Sequence, residues 1–210
     1  MKTAFVLYER FTALDIVGPF QTLVDVPGID ACFVAERVGP VRDHTGRLSL
    51  TATATFDEVT APDIVVVPGG FADRDATVDH PVVRWLKRVH PTTQWTTSVC
   101  TGSIFLGLAG ILEGLEATCH WGAMDRLATL GARPTGQRVV RQGKVITAAG
   151  VSSGIDMGLT LVKEMFGENM GRAIQLAIEY DPQPPFNAGS PAKAGPELVA
   201  MVSQLFAGST

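Results

Sequence analysis

Asp63-Ile64-Val65-Val66-Val67-Pro68-Gly69-Gly70 is the stretch that decides the fold. Ile64 to Val67 is an unbroken β-branched run, so the segment is apolar on both faces. A strand with two apolar faces needs cover on both sides, the condition of an inner strand in a parallel sheet. Pro68 stops the run, and Gly69-Gly70 permits a tight turn at its carboxyl end.

Upstream, residues 3–8 form a second short apolar run that reads as a buried strand. Ala13-Leu14-Asp15 and Gly18-Pro19 follow, and the proline fits the first turn of a helix running to about Val26. Residues 30–38 read as a strand. Residues 39–55, with Gly46 and alternating Leu48, Leu50, Ala52 and Ala54, read as a hairpin or extended excursion. Downstream, 81–90 has helical spacing at Val82, Val83, Leu86 and Val89, and 94–99 is a strand running straight into Cys100. The next helix, 101–111, is weakened by Gly102, Gly107 and Gly110. A helix over 121–130 ends near Gly131, and 139–140 pairs with 144–149 about a Gln142-Gly143 turn. Helices over 152–166 and 170–180, a Pro/Gly/Ala-rich ordered arm over 181–196 and a last helix over 196–206 complete the chain. Such alternation implies parallel strands with crossover helices. The expectation is one α/β domain over 1–210, a doubly wound sandwich with a mostly parallel sheet and helices on both faces.

Composition narrows the function. With 46% hydrophobic and 18% charged residues the chain is globular rather than disordered. Its apolar stretches, such as 103–112, are too short for a membrane span, and the apolar start stops at Glu9-Arg10, short of a secretion signal. A net charge of −4 without a basic run gives no attraction to nucleic acid or anionic lipid. Three cysteines, Cys32, Cys100 and Cys119, make neither an even framework nor a C-x-x-C pair, which fits a reducing compartment. The expectation is a cytoplasmic protein that handles a small molecule, with no nucleic-acid or membrane partner.

Ligands of open parallel sheets bind beyond the carboxyl ends of the strands. Asp15, Gly69-Gly70 and Cys100 all fall at such ends. In Thr97-Ser98-Val99-Cys100-Thr101-Gly102-Ser103 the small neighbours allow a sharp strand-to-helix bend with Cys100 at its apex. A helix starting there favours thiolate over thiol, so Cys100 is either a nucleophile or an ordinary buried cysteine. The Gly69 and Gly70 amides either point into the site to stabilise negative charge or only make a turn. Asp15 is either a helix cap or an acid/base partner of the thiol. His120, beside Cys119, is a possible base or a hydrogen-bonded structural residue; a metal role lacks further ligands at suitable spacing. His44, His80 and His90 read as structural, and Asp156 as a capping or dipole-pairing residue. The 131–136 segment has phosphate-loop spacing, but Gln137-Arg138 replaces the required Lys-Ser/Thr. No G-x-G-x-x-G follows the first strand, which argues against dinucleotide binding.

Leu14-Asp15-x-x-Gly18-Pro19, Val67-Pro68-Gly69-Gly70, Ser98-Val99-Cys100-Thr101-Gly102 and Ala117-Thr118-Cys119-His120-Trp121 together resemble the ThiJ/PfpI superfamily of cysteine-dependent α/β proteins, over about residues 2–180. The resemblance implies a flavodoxin-like sandwich of the class I glutamine amidotransferase type. Cys100-Thr101, Asp15 and the tail Ile178-Glu179-Tyr180-Asp181-Pro182-Gln183-Pro184-Pro185-Phe186 are most similar to the isonitrile (isocyanide) hydratase branch. That branch implies conversion of R–N≡C to R–NH–CHO through a covalent thioimidate on Cys100. Asp15 would serve as acid/base, Thr101 and Gly70 would orient the thiol and developing charge, and Gly150-Val151 would line the pocket. No metal or organic cofactor is implied. Homodimers are, with the 181–196 arm as a candidate for crossing to the partner.

Other branches fit less well. Protease-like members carry histidine directly after the nucleophile, where this chain has Thr101. Amidotransferases carry a late His-x-Glu pair, which the last third lacks, and chaperone- and glyoxalase-like relatives have glutamate in place of Asp15. Regulators of this type add a helix-turn-helix domain, absent from this sequence. The alternatives are a cysteine-dependent glyoxalase-like enzyme and a non-catalytic ligand-binding or redox-sensing module.

Overall fold

The valine run is an inner strand. The computed structural model describes residues 1–207, with side chains through 205. In chain order its regular elements are β1 (Lys2–Val6), α1 (Ala13–Leu23), β2 (Asp30–Ala35), β3 (Gly39–Arg42), β4 (Ser49–Ala52), β5 (Ala54–Thr55), β6 (Ile64–Val67), α2 (Pro81–Val89), β7 (Trp95–Val99) and α3 (Gly102–Leu108). There follow β8 (Glu116–Ala117), α4 (Met124–Thr129), β9 (Arg133–Pro134), β10 (Val139–Gln142), β11 (Val145–Ala148), α5 (Ser153–Phe166), α6 (Glu168–Ala177), α7 (Pro191–Ala194) and α8 (Pro196–Ala207).

A seven-stranded sheet runs β10-β11-β7-β6-β1-β2-β5, parallel throughout except for the β10–β11 hairpin. β6 sits between β1 and β7, in register Val65 with Ala4 and with Thr96. Every residue of β6 is fully buried, as a strand with two apolar faces requires. Helices pack as α1 on α5 and α5 on α6, and separately as α2 on α3 and α3 on α4. Phe5, Leu7, Phe11, Trp85, Ile104 and Phe105 are among the largest fully buried side chains. The expected excursion after β2 is the separate antiparallel hairpin β3–β4. Met1–Ile178 is one compact unit; a second begins at Glu179, where the short α7 falls inside the expected arm and packs on α8.

One boundary changes the reading of the site. α1 starts at Ala13, not near Pro19, which lies inside the helix. A proline there removes the N–H that would bond the Asp15 carbonyl. The Pro19 ring packs on Gly154, where a Cβ would come 3.1 Å from Pro19 Cδ and Cγ. Close approach of α1 and α5 therefore holds the proline in place. The cap residue is Thr12, so Asp15 is not a cap; it sits in the first turn and faces inward.

Candidate active site around Cys100

β7 delivers Cys100 to the carboxyl edge of the sheet, next to the end of β6. Cys100 has φ of 58°, a left-handed backbone rare for any residue but glycine and worth roughly 1–2 kcal/mol of strain. Its amide, donating to the carbonyls of Ala148 (3.0 Å) and Ala149 (2.9 Å), pins the bend to the end of β11. Gly102 is required here, because a Cβ would strike the Val67 and Pro68 carbonyls. The glycines that weaken α3 by propensity thus include one that lets it start directly against β6.

Cys100 is 6% exposed, and Asp15 is fully buried beside it. Asp15 Oδ2 accepts the Gly69 amide at 2.9 Å, while Oδ1 is buried without a conventional hydrogen-bond partner. Burial raises the Asp15 carboxyl from 3.8 to about 8, against the lowering effect of the Gly69 amide and the Cys100 thiol. Asp15 is therefore mostly protonated at neutral pH. Burial also pushes the Cys100 thiol well up, and the Asp15 charge adds to this; the amides of Thr101 and Val151, donating to sulfur, pull it down. The expectation that the helix start holds a free thiolate is thus corrected: α3 is seven residues long, and burial outweighs two amides.

Gly69 lies beside Asp15 and Thr101, and Gly70 beside Phe11 and Thr101, but their amide hydrogens are engaged. Gly69 donates to Asp15, and Gly70 donates to Thr101 Oγ1 at 3.1 Å. The amides that meet the sulfur belong to Thr101 and Val151 instead. A Cβ on Gly69 would come 2.5 Å from the Thr101 nitrogen and 2.9 Å from Asp15 Oδ2, so only glycine fits between them.

The next wall comes from the segment before α4. Ser103 Oγ, bonded to Ser98 Oγ (2.9 Å), donates to the Thr118 carbonyl at 2.7 Å, and the Thr118 amide donates to Thr147 Oγ1 at 2.9 Å. These bonds seat Cys119 and His120. Cys119 is buried and its thiol pushed up to about 12, which makes it inert at neutral pH. His120 Nδ1 accepts the Gly122 amide at 3.2 Å, and burial lowers its pKa, so the ring is neutral with its proton on Nε2. The ring lies against Gly150, where a Cβ would come 3.0 Å from His120 Cδ2. Gly150, Val151 and His120 therefore form one wall next to the sulfur.

This is a buried carboxyl and a buried thiol at one sheet edge, with residues 1–164 matching the model of the DJ-1/PfpI family. The chain belongs to the DJ-1/PfpI family. A curated relative named isonitrile hydratase, from Pseudomonas putida, is 38% identical over 95% of this chain and 87% of its own length. A solved ThiJ/PfpI family protein from Pseudomonas syringae superposes with a TM-score of 0.92 at 36% identity, covering 99% of this chain and 87% of that one. The HTH-type transcriptional regulator CdhR of Pseudomonas aeruginosa is 28% identical over 68% of this chain and 42% of its own length.

Within this DJ-1/PfpI chain the remaining candidates lie elsewhere or do other work. Cys32 is half-buried on β2. His80 caps α2 through Nδ1, His90 bonds Thr96 Oγ1 at 2.9 Å, and His44 stacks on Phe71. Asp156 pairs with Arg138 at 2.6 Å and is not the cap of α5, which is Ser152. Among the described residues no group of three His, Cys, Asp or Glu is placed to hold a metal ion, and no helix is long and apolar enough to cross a membrane.

Sequence reasoning missed Asp73. It is 4% exposed, accepts from Thr101 Oγ1 at 3.1 Å and pairs with Arg126 at 3.2 Å. Burial raises it to about 6, against the Thr101 bond and the Arg126 and Arg74 charges. Its partners lie 28 and 53 positions away, so no local pattern marks it.

Proposed function

We propose that this protein is an isonitrile hydratase, adding water to R–N≡C to give R–NH–CHO. The observation that carries the reading is the Asp15–Cys100 pair: a carboxyl raised to about 8 holds its proton at neutral pH directly beside the Cys100 sulfur. The 38% identity to an isonitrile hydratase along 95% of the chain supports the same activity.

An isonitrile carbon needs a nucleophile and a proton on the same atom, and the pair supplies both. Burial keeps the resting sulfur a thiol. The reacting form is the one in which the thiol has lost its proton to water while Asp15 keeps its own, and the Thr101 and Val151 amides hold that sulfur. Sulfur attacks the terminal carbon while Asp15 transfers its proton to that carbon, forming the C–S and C–H bonds of a thioimidate, R–N=CH–S–Cys100. Asp15, now a carboxylate, takes a proton from water as the water oxygen bonds to the carbon, and nitrogen gains that proton. The adduct R–NH–CH(OH)–S–Cys100 then breaks its C–S bond. The hydroxyl proton returns to the Asp15–Cys100 pair, and the formamide leaves. Atoms balance without an oxidant, a reductant or a cofactor.

The test is incubation with cyclohexyl isocyanide and mass spectrometry for N-cyclohexylformamide. Wild-type turnover is expected, with Cys100→Ala and Asp15→Asn each reduced by about 10²–10⁴-fold. Undiminished turnover in Cys100→Ala would contradict the mechanism. No formamide from a panel of alkyl and aryl isocyanides, with lactate formed from methylglyoxal, would move the activity to a glyoxalase-like enzyme.

A further inference from the structure

We propose that Asp73 is a positioning residue for the nucleophile, acting through the Thr101 hydroxyl to hold the Thr101 amide on the Cys100 sulfur. A threonine hydroxyl has one hydrogen to give and lone pairs to receive. Thr101 Oγ1 receives the Gly70 amide at 3.1 Å, and two acceptors compete for its hydrogen, Asp73 Oδ1 at 3.1 Å and the Gly70 carbonyl at 3.2 Å. A carboxylate paired with Arg126 is the stronger acceptor of the two. The hydroxyl is thereby engaged and makes no cap hydrogen bond to α3, although Thr101 occupies the cap position.

The consequence lies in the backbone. Cys100 is in a strained left-handed conformation, and Thr101, the next residue, is bonded through its side chain to Asp73. With its side chain fixed at two points, Thr101 keeps its own amide aimed at the sulfur, the first of the two amides that lower the thiol's pKa. Arg126 in turn ties Asp73 to α4 and also donates to the Ala76 carbonyl at 3.4 Å. Asp73 touches neither the sulfur nor Asp15 and belongs to the support of the nucleophile.

The proposal rests on Cys100 being the reactive thiol, and its test needs no isonitrile. The rate of carboxamidomethylation by iodoacetamide is read at the Cys100 peptide by mass spectrometry, in a double-mutant cycle of Asp73→Ala and Thr101→Val. Asp73→Ala is expected to slow labelling roughly tenfold, the scale of one charge-assisted hydrogen bond, and to change it less than about twofold when Thr101 is already valine. Unchanged or faster labelling, or the same slowing in both backgrounds, would overturn the proposal. Should Asp73→Ala not fold, the cycle with Asp73→Asn decides. Its weaker acceptor is expected to slow labelling about threefold with Thr101 present and not with valine there. Equal rates with and without the Asn substitution, or equal slowing in both backgrounds, would overturn it. If hydratase activity is absent while the coupling is found, only the substrate assignment fails.

Discussion

Burial makes the Asp15 carboxyl hard to ionise, and this has a sign in stability as well as in catalysis. Its value is about 8 in the folded protein against 3.8 for the free side chain. Between those pH values the folded state binds a proton that the unfolded chain has released, so stability falls as pH rises across the window. Asp15→Asn keeps the shape and carries no charge. Its melting temperature relative to wild type should therefore be lowest near pH 4 and climb toward pH 8, by about 2–4 °C for each kcal/mol recovered. Thermal melts of both proteins from pH 4 to pH 9 check this; a difference independent of pH would show that Asp15 ionises normally. The variant that is more stable at pH 8 is also the one expected to lose turnover, as for other buried groups kept for chemistry.

At the level of elements, the site depends on how closely α1 and α5 approach, since α1 carries Asp15 and the turn before α5 carries Val151. Gly18 faces Ile155, with a Cβ position 3.1 Å from its Cγ1, and a Cβ on Gly158 would strike Thr22 Oγ1. Thr22 cannot easily swing aside because its hydroxyl donates to the Pro19 carbonyl at 2.8 Å. Gly158→Val is expected to push the helices apart, destabilise by about 1–3 kcal/mol and lower kcat/KM about 10²-fold by misplacing the acid. Denaturant titration and the formamide assay measure the two effects; an unchanged denaturation midpoint would contradict the packing argument. The element scale is also where the sequence could mislead. Pro19 reads as a helix start because proline is favoured there, and that reading makes Asp15 look like a cap. The helix instead starts at Ala13, and the proline ring inside it packs on Gly154, a contact across 135 positions.

For the whole molecule, the succession of strands and helices along the chain was legible because the inner strands announce themselves. β6 is β-branched throughout, β7 ends in Cys100, and crossover helices separate them. The short strands β5, β8 and β9, two residues each, carry no such signal. Asp15, Gly69 and Cys100, which follow β1, β6 and β7 in the sequence, are brought together by the fold, Asp15 from the first turn of α1. Asp73 was not legible in the sequence, because its role depends on partners from other elements. The implied homodimer is a separate proposal, checked by light scattering of the intact chain at micromolar concentration; twice the chain mass is expected, and a monomer would remove it.

The central claim is that one proton resides on the Asp15–Cys100 pair's carboxyl at neutral pH. Infrared difference spectroscopy, wild type minus Asp15→Asn, observes it directly through the carbonyl stretch of a protonated carboxyl. The band is expected at pH 7 and should disappear with a midpoint near 8. Its absence at pH 7, with a midpoint in the ordinary carboxylate range near 4, would contradict the account.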